Sequence, residues 1–119
     1  MAKENAILER SFGFAIRTVR LYQYLANDKK EYILSKQLLR SGTSIGANVN
    51  EAQAGQSRND FISKMTIASK EARESKYWIE LLIATDYLTI DDEHTKSLLN
   101  EVVELTKILT SIVKTSQGK

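Results

Sequence analysis

Cysteine and proline are absent from the 119 residues, glycine numbers five and histidine one. Without cysteine there is no disulfide, no thiol nucleophile and no thiolate metal site, which suits a reducing compartment. Without proline, and with long stretches free of glycine, little in the chain forces a helix to stop. No apolar run approaches the roughly 20 residues that cross a bilayer. The opening MAKENAILERSF has no secretory-type apolar core. The expectation is a cytoplasmic protein with no membrane partner.

Catalytic and cofactor signatures are also missing. His94 stands at the start of a helical segment beside Asp91, Asp92 and Glu93. With no second histidine, the Glu-x-x-His pairs of a two-metal bundle cannot be assembled. Asp91–Glu93 also lacks the ligand spacing of a calcium loop. The stretch SGTSIG lacks the Gly-Lys-Ser/Thr ending that holds a triphosphate, and no serine has a histidine base nearby in sequence. The expectation is no enzyme, no cofactor and no metal.

Apolar residues make up 42% of the chain, enough for one domain with a real core. Formal net charge is +2, unevenly spread. Residues 1–82 hold 13 Lys/Arg against 9 Asp/Glu, and residues 83–119 hold 4 against 6. Such asymmetry suits either nucleic acid or an acidic face on another subunit.

Periodicity predicts four helices, at about 7–26, 29–52, 58–85 and 92–115. In the first, Leu8, Phe12, Ala15, Val19 and Tyr22 form a stripe widened by Ile16 and Leu25. Arg10, Arg17 and Arg20 flank it, either as a solvated edge or as a basic ridge facing phosphates. Asp28, with Glu31 three residues on, reads as a capping box for the second helix. Ser57 with Asp60 reads as the cap of the third, and Gly55 as a left-handed helix end. Phe61, Met65, Ala68, Ala72, Ser75, Ile79 and Leu82 form a heptad seam in the third helix. Tyr77 and Trp78 flank it. Asp91 or Asp92 is expected to cap the fourth helix, whose seam is Leu98, Val102, Leu105, Leu109 and Ile112. Short connectors join all four, which predicts an all-α, antiparallel up-down-up-down four-helix bundle in a single domain, 1–119.

The second helix has an unusual back half, LLRSGTSIGANVNEAQAGQSR, small and polar yet still on a helical beat. Gly42 and Gly46 share a face and each costs roughly 1 kcal/mol of helix propensity. Close approach of another helix would offset that cost, and the small Ala68–Ala72–Ser75 seam is the expected neighbour. Asn48 is expected to bond the backbone of a crossing helix. Glu51 has Arg40, Arg58 or solvent as its alternatives.

The block from Arg40 through Leu82, opening RSGTSIGANVNEAQ, resembles the small bacterial four-helix proteins encoded in intervening sequences of large-subunit rRNA genes, often labelled S23 ribosomal proteins. These are similar to the accessory variability determinant proteins of diversity-generating retroelements. The resemblance rests on Arg40, Ser41, Ser44, Ile45, Asn48, Glu51, Asp60 and Phe61, with Gly42 and Gly46 in the same block; many relatives carry proline where Gly46 stands. It implies four antiparallel helices per subunit and a ring-shaped homopentamer. The retroelement relatives associate with a reverse transcriptase and, through a basic surface, with nucleic acid. From these strands the expected function is a non-enzymatic, oligomeric, nucleic-acid-associated protein. RNA or DNA would be its partner besides itself, held by Arg10, Arg17, Arg20, Arg58 and Lys64. A structural module that binds only a protein, or only itself, is the alternative.

Overall fold

The structure, a computed structural model, describes residues 2–118, and the side chains of residues 6–118. Among these residues there are four helices and no strand: α1 (Ala2–Asn27), α2 (Leu34–Gln53), α3 (Arg58–Ala84) and α4 (Glu93–Ser116). The molecule measures 44 × 22 × 19 Å. At about 1.5 Å per residue, only helices lying along the long axis fit. α2 packs against α1 and α3, α3 against α4, and α1 more sparsely against α4, and all four contribute to one core.

The core follows the expected seams in three helices. It takes Leu38, Ile45, Val49 and Ala52 from α2, then Met65, Ala68, Ala72, Ser75, Ile79 and Leu82 from α3. All five seam residues of α4, from Leu98 to Ile112, are buried. Fully burying one such leucine or isoleucine contributes about 1.5–3 kcal/mol.

α1 departs from expectation. It begins at Ala2 instead of Ile7, and its inner face is Ile7, Ser11, Phe14, Thr18 and Leu25. The stripe read from hydrophobicity is offset by one residue, about 100° around the helix. Phe12 is 64% exposed, and Ile16 and Val19 are exposed as well. The inner face is set by how closely α2 approaches. Gly46 lies against Ser11, and a Cβ there would stand 3.3 Å from the Ser11 carbonyl oxygen. Gly42 lies against Thr18. Small hydroxyl residues fit where larger apolar ones would push the helices apart. The Ser11 and Thr18 hydroxyls donate to the carbonyls of Leu8 and Ala15 on their own helix. The two glycines therefore serve the α1–α2 contact, not the α3 seam. Toward α3, α2 presents Ser41, whose Oγ is 2.8 Å from Ser75 Oγ in a buried pair.

The α1–α2 connector is longer than expected, because α2 begins at Leu34 and not Lys29. Asp28 does not cap it. Lys30 takes a left-handed φ of 58° and turns the chain. The Glu31 carboxylate then accepts from the backbone N–H groups of Ile33, Leu34 and Ser35 at 3.0, 2.8 and 2.7 Å. Ile33 at the N-cap has no side-chain oxygen to offer, so Glu31 reaches in from two residues earlier and meets three otherwise unpartnered donors. Burial pushes its carboxyl upward, but the three backbone N–H bonds and the Ser35 hydroxyl outweigh that and hold it below the ordinary range.

The remaining caps match expectation in residue type. Ser57 Oγ accepts from Asp60 N–H at 3.1 Å, and Asp92 accepts from Thr95 N–H at 3.1 Å. Gly55 is not left-handed; Ala54 occupies the C-cap of α2. A Cβ on Gly55 would meet Ala52 O at 3.1 Å and Phe61 N at 3.3 Å, so tightness, not φ, favours glycine there. In the α3–α4 connector, Asp86 is left-handed at φ 69°. Tyr87 and Leu88 fold back onto the core, whereas Ile90 stays exposed.

Candidate functional site

The small and polar stretch of α2 is a joint between helices. Arg40 pairs with Glu71 at 3.3 Å and with Glu74, both on α3. Trp78 Nε1 donates to the same Glu74 carboxylate at 2.9 Å, and Tyr77 meets the Trp78 ring edge-on at 5.0 Å. Bonds from Arg40 first, and from Trp78, hold the Glu74 carboxyl below its ordinary value; the Arg40 guanidinium is raised in turn, chiefly by Glu74. Ile45 is buried. Ser44 Oγ donates to the Arg40 carbonyl at 2.6 Å, and Asn48 Nδ2 to the Ser44 carbonyl at 2.9 Å. Asn48 thus bonds its own helix and not a crossing one. Glu51 is exposed, and Arg40 is engaged elsewhere. Asp60 is exposed in the first turn of α3, and Phe61 packs half-buried against the core.

The five candidate cations do not form one patch. Arg10, Arg17 and Arg20 lie on α1, whereas Arg58 and Lys64 lie at the start of α3. Arg10 is held by Glu101 of α4 through two bonds, Nε to Oε2 at 3.0 Å and Nη2 to Oε1 at 2.8 Å. Such a forked pair neutralises the guanidinium and occupies its planar edge. Arg17 donates from Nη2 to the carbonyl of His94 at 3.2 Å, which satisfies one donor, and it has no ion pair among the described residues. Arg20 has no ion pair among the described residues.

Arg17 and Arg20 line a cavity of about 610 Å³ between the last turns of α1, the α3–α4 connector and the start of α4. Lys29 and His94 line it too. Sequence reasoning did not group these two with the arginines. Lys29 sits in a connector, and His94 is 74 residues from Arg20 in the chain. Packing of α1 on α4 brings His94 to the arginines, while Lys29 follows directly on the end of α1. Among the described residues, no group of three or more His, Cys, Asp or Glu could hold a metal ion, and no helix is long and apolar enough to cross a membrane.

A sequence model of the 23S rRNA-intervening sequence protein family matches residues 3–111. The chain belongs to that family. It is also similar to a crystal structure of a protein with unknown function from the S23 ribosomal protein family of Bacteroides thetaiotaomicron VPI-5482. The two share 53% identity and superpose with a TM-score of 0.89, over 94% of this chain and 98% of that one. No curated protein matches the chain. The α2–α3 joint is the part of this intervening-sequence family member that carried the resemblance, and its residues build the scaffold.

Proposed function

We propose that this family member is a non-enzymatic, oligomeric, nucleic-acid-associated scaffold. The observation that carries the reading is the contrast among its arginines. Arg10 and Arg40 are neutralised by glutamates on neighbouring helices. Arg17, Arg20 and Lys29 stand together with no ion pair among the described residues. Cations free of ion pairs, three against the two carboxylates Asp86 and Asp92 in the same lining, suit phosphates, and their affinity falls with salt. RNA is the nucleic acid proposed for this contact. Arg58 and Lys64 would belong to a separate contact, brought nearer to Arg17 only by assembly.

Each subunit is an antiparallel up-down-up-down bundle in this reading. Supporting it, Ser11 lies against Gly46 and Thr18 against Gly42, so α1 and α2 are traversed in opposite senses. Arg10 meets Glu101 and Arg17 meets His94, which gives the same opposition for α1 and α4. Self-association uses the outer face of α1, where Phe12, Ile16 and Val19 form an exposed ridge at spacings of four and three. The ring-shaped homopentamer of the resembling proteins is the assembly proposed for it. Filter binding to structured RNA at low salt tests the function. Wild type and Arg10→Gln should retain RNA, and the Arg17→Gln/Arg20→Gln double variant should lose most of it. No retention by the wild-type protein at micromolar concentration would leave the protein-interaction module instead.

A further inference from the structure

The cavity at the α1–α4 end is built for more than phosphate. Its walls include Leu21 and Leu98 together with Tyr24 and Tyr87, and Arg17, Arg20 and Lys29 supply charge. About 610 Å³ lies within the range of small-molecule sites. The two carboxylates that also line it limit the charge it can accept. Asp92 is committed to the α4 N-terminus through Thr95 N–H and Oγ1 at 3.1 and 3.3 Å. Asp86 has no ion pair among the described residues. A polyphosphate would be repelled by Asp86, whereas a hydroxyl or exocyclic amine would be welcomed as a donor.

One phosphate for the arginines, a flat ring for the tyrosines and a hydroxyl-bearing sugar for the carboxylate describe one class of ligand. We propose that this cavity binds a nucleoside 5′-monophosphate, either free or as the phosphorylated end of an RNA strand. The inference rests on the nucleic-acid reading for its choice of a phosphate ester over other anions. Arg17 and Arg20 take the phosphate, with Lys29 adding charge. Tyr24 and Tyr87 contact the base, an interaction that tolerates any base because each has a π-face.

His94 is the chain's one histidine and lines the cavity, so its ring resonances report binding there without assignment of other signals. Adenosine 5′-monophosphate titrated into the full-length protein should shift those resonances saturably. Adenosine or inorganic phosphate at equal concentration should do so at least tenfold more weakly. Arg20→Gln should weaken AMP by about tenfold, the loss of one charge-assisted bond. Tyr24→Ala provides a second variant at a partly exposed site, with a similar loss. A 5′-phosphorylated RNA oligonucleotide that competes with AMP, where its 5′-hydroxyl form does not, identifies the strand end as ligand. AMP binding without competition identifies the free nucleotide. No saturable shift with AMP or the phosphorylated strand at millimolar concentration overturns the inference, as does a shift that Arg20→Gln and Tyr24→Ala leave unchanged. Loss of structured-RNA retention on filters with AMP binding intact would instead count against the nucleic-acid reading alone.

Discussion

Gly42 is where the packing of α1 on α2 can be tested with one methyl group. A Cβ built there stands 2.5 Å from Thr18 Cγ2 and 3.0 Å from both Cβ and Oγ1 of the same residue. Thr18 is buried and branched at Cβ, so rotating its side chain cannot clear the clash; the Cβ itself is in the way. The helices must part, and overpacking of this kind costs about 1–3 kcal/mol. Against that, alanine is about 1 kcal/mol better than glycine in a helix interior. Gly42→Ala should therefore destabilise by about 1 kcal/mol, roughly 3–5 °C in melting temperature for a chain of this length. Thr18→Ala removes the two outer atoms of the contact, including the nearest. In that background only the 3.0 Å approach to the Cβ of residue 18 remains, so the penalty for Gly42→Ala should shrink, a coupling of up to about 1 kcal/mol for residues in direct contact. Circular-dichroism melts of the four proteins at one concentration measure the cycle. A Gly42→Ala variant that melts higher than wild type, or one equally destabilised in both backgrounds, would refute the placement of Gly42 against α1.

Glu31→Ala removes the acceptor of three backbone donors and should cost about 1–3 kcal/mol in urea unfolding, while Asp28→Ala should change stability by less than about 0.5 kcal/mol. Phe12→Glu should reduce the proposed oligomer to smaller species in sedimentation velocity with helical content intact; an unchanged sedimentation coefficient would remove α1's outer face from the proposed assembly. Glu31 and Glu74 have folded-state carboxyl values below the ordinary 4.5. The stability they contribute is full above that value and is lost as pH falls through the lower folded values. Melting temperature should hold from neutral pH down to about 5 and drop below about 4.5, with Glu31→Gln showing a shallower drop; a rise on acidification would contradict the sign.

Most of the fold was legible because three of the four helices bury the stripe that hydrophobicity marks. In α3 and α4 the apolar seam and the buried face coincide, and Ser57 and Asp92 act as local signals say they should. α1 was misread for a physical reason. Its most apolar stripe, with Phe12 and Val19, is turned away from its own core, and its inner face carries Ser11 and Thr18 because glycines oppose them. Periodicity records where apolar residues recur, not which helix comes close. The Glu31 cap was hidden because the sequence also offers Asp28 at the usual spacing, and only the left-handed turn at Lys30 brings Glu31 to the helix start. The candidate cation cluster was half legible. Arg17 and Arg20 are neighbours on one helix and Lys29 follows its end, but His94 joins them through tertiary packing. Neutralisation of Arg10 by Glu101, 91 residues away, leaves no local trace in the chain.

The most direct test of the proposed function is the salt dependence of RNA affinity, measured for wild type and for Arg17→Gln/Arg20→Gln. If these arginines contact phosphates, the slope of log affinity against log salt should become shallower by about one for each contact removed. Arg10→Gln, whose guanidinium is already paired, should keep the wild-type slope. Equal slopes for wild type and the Arg17/Arg20 double variant would contradict the account.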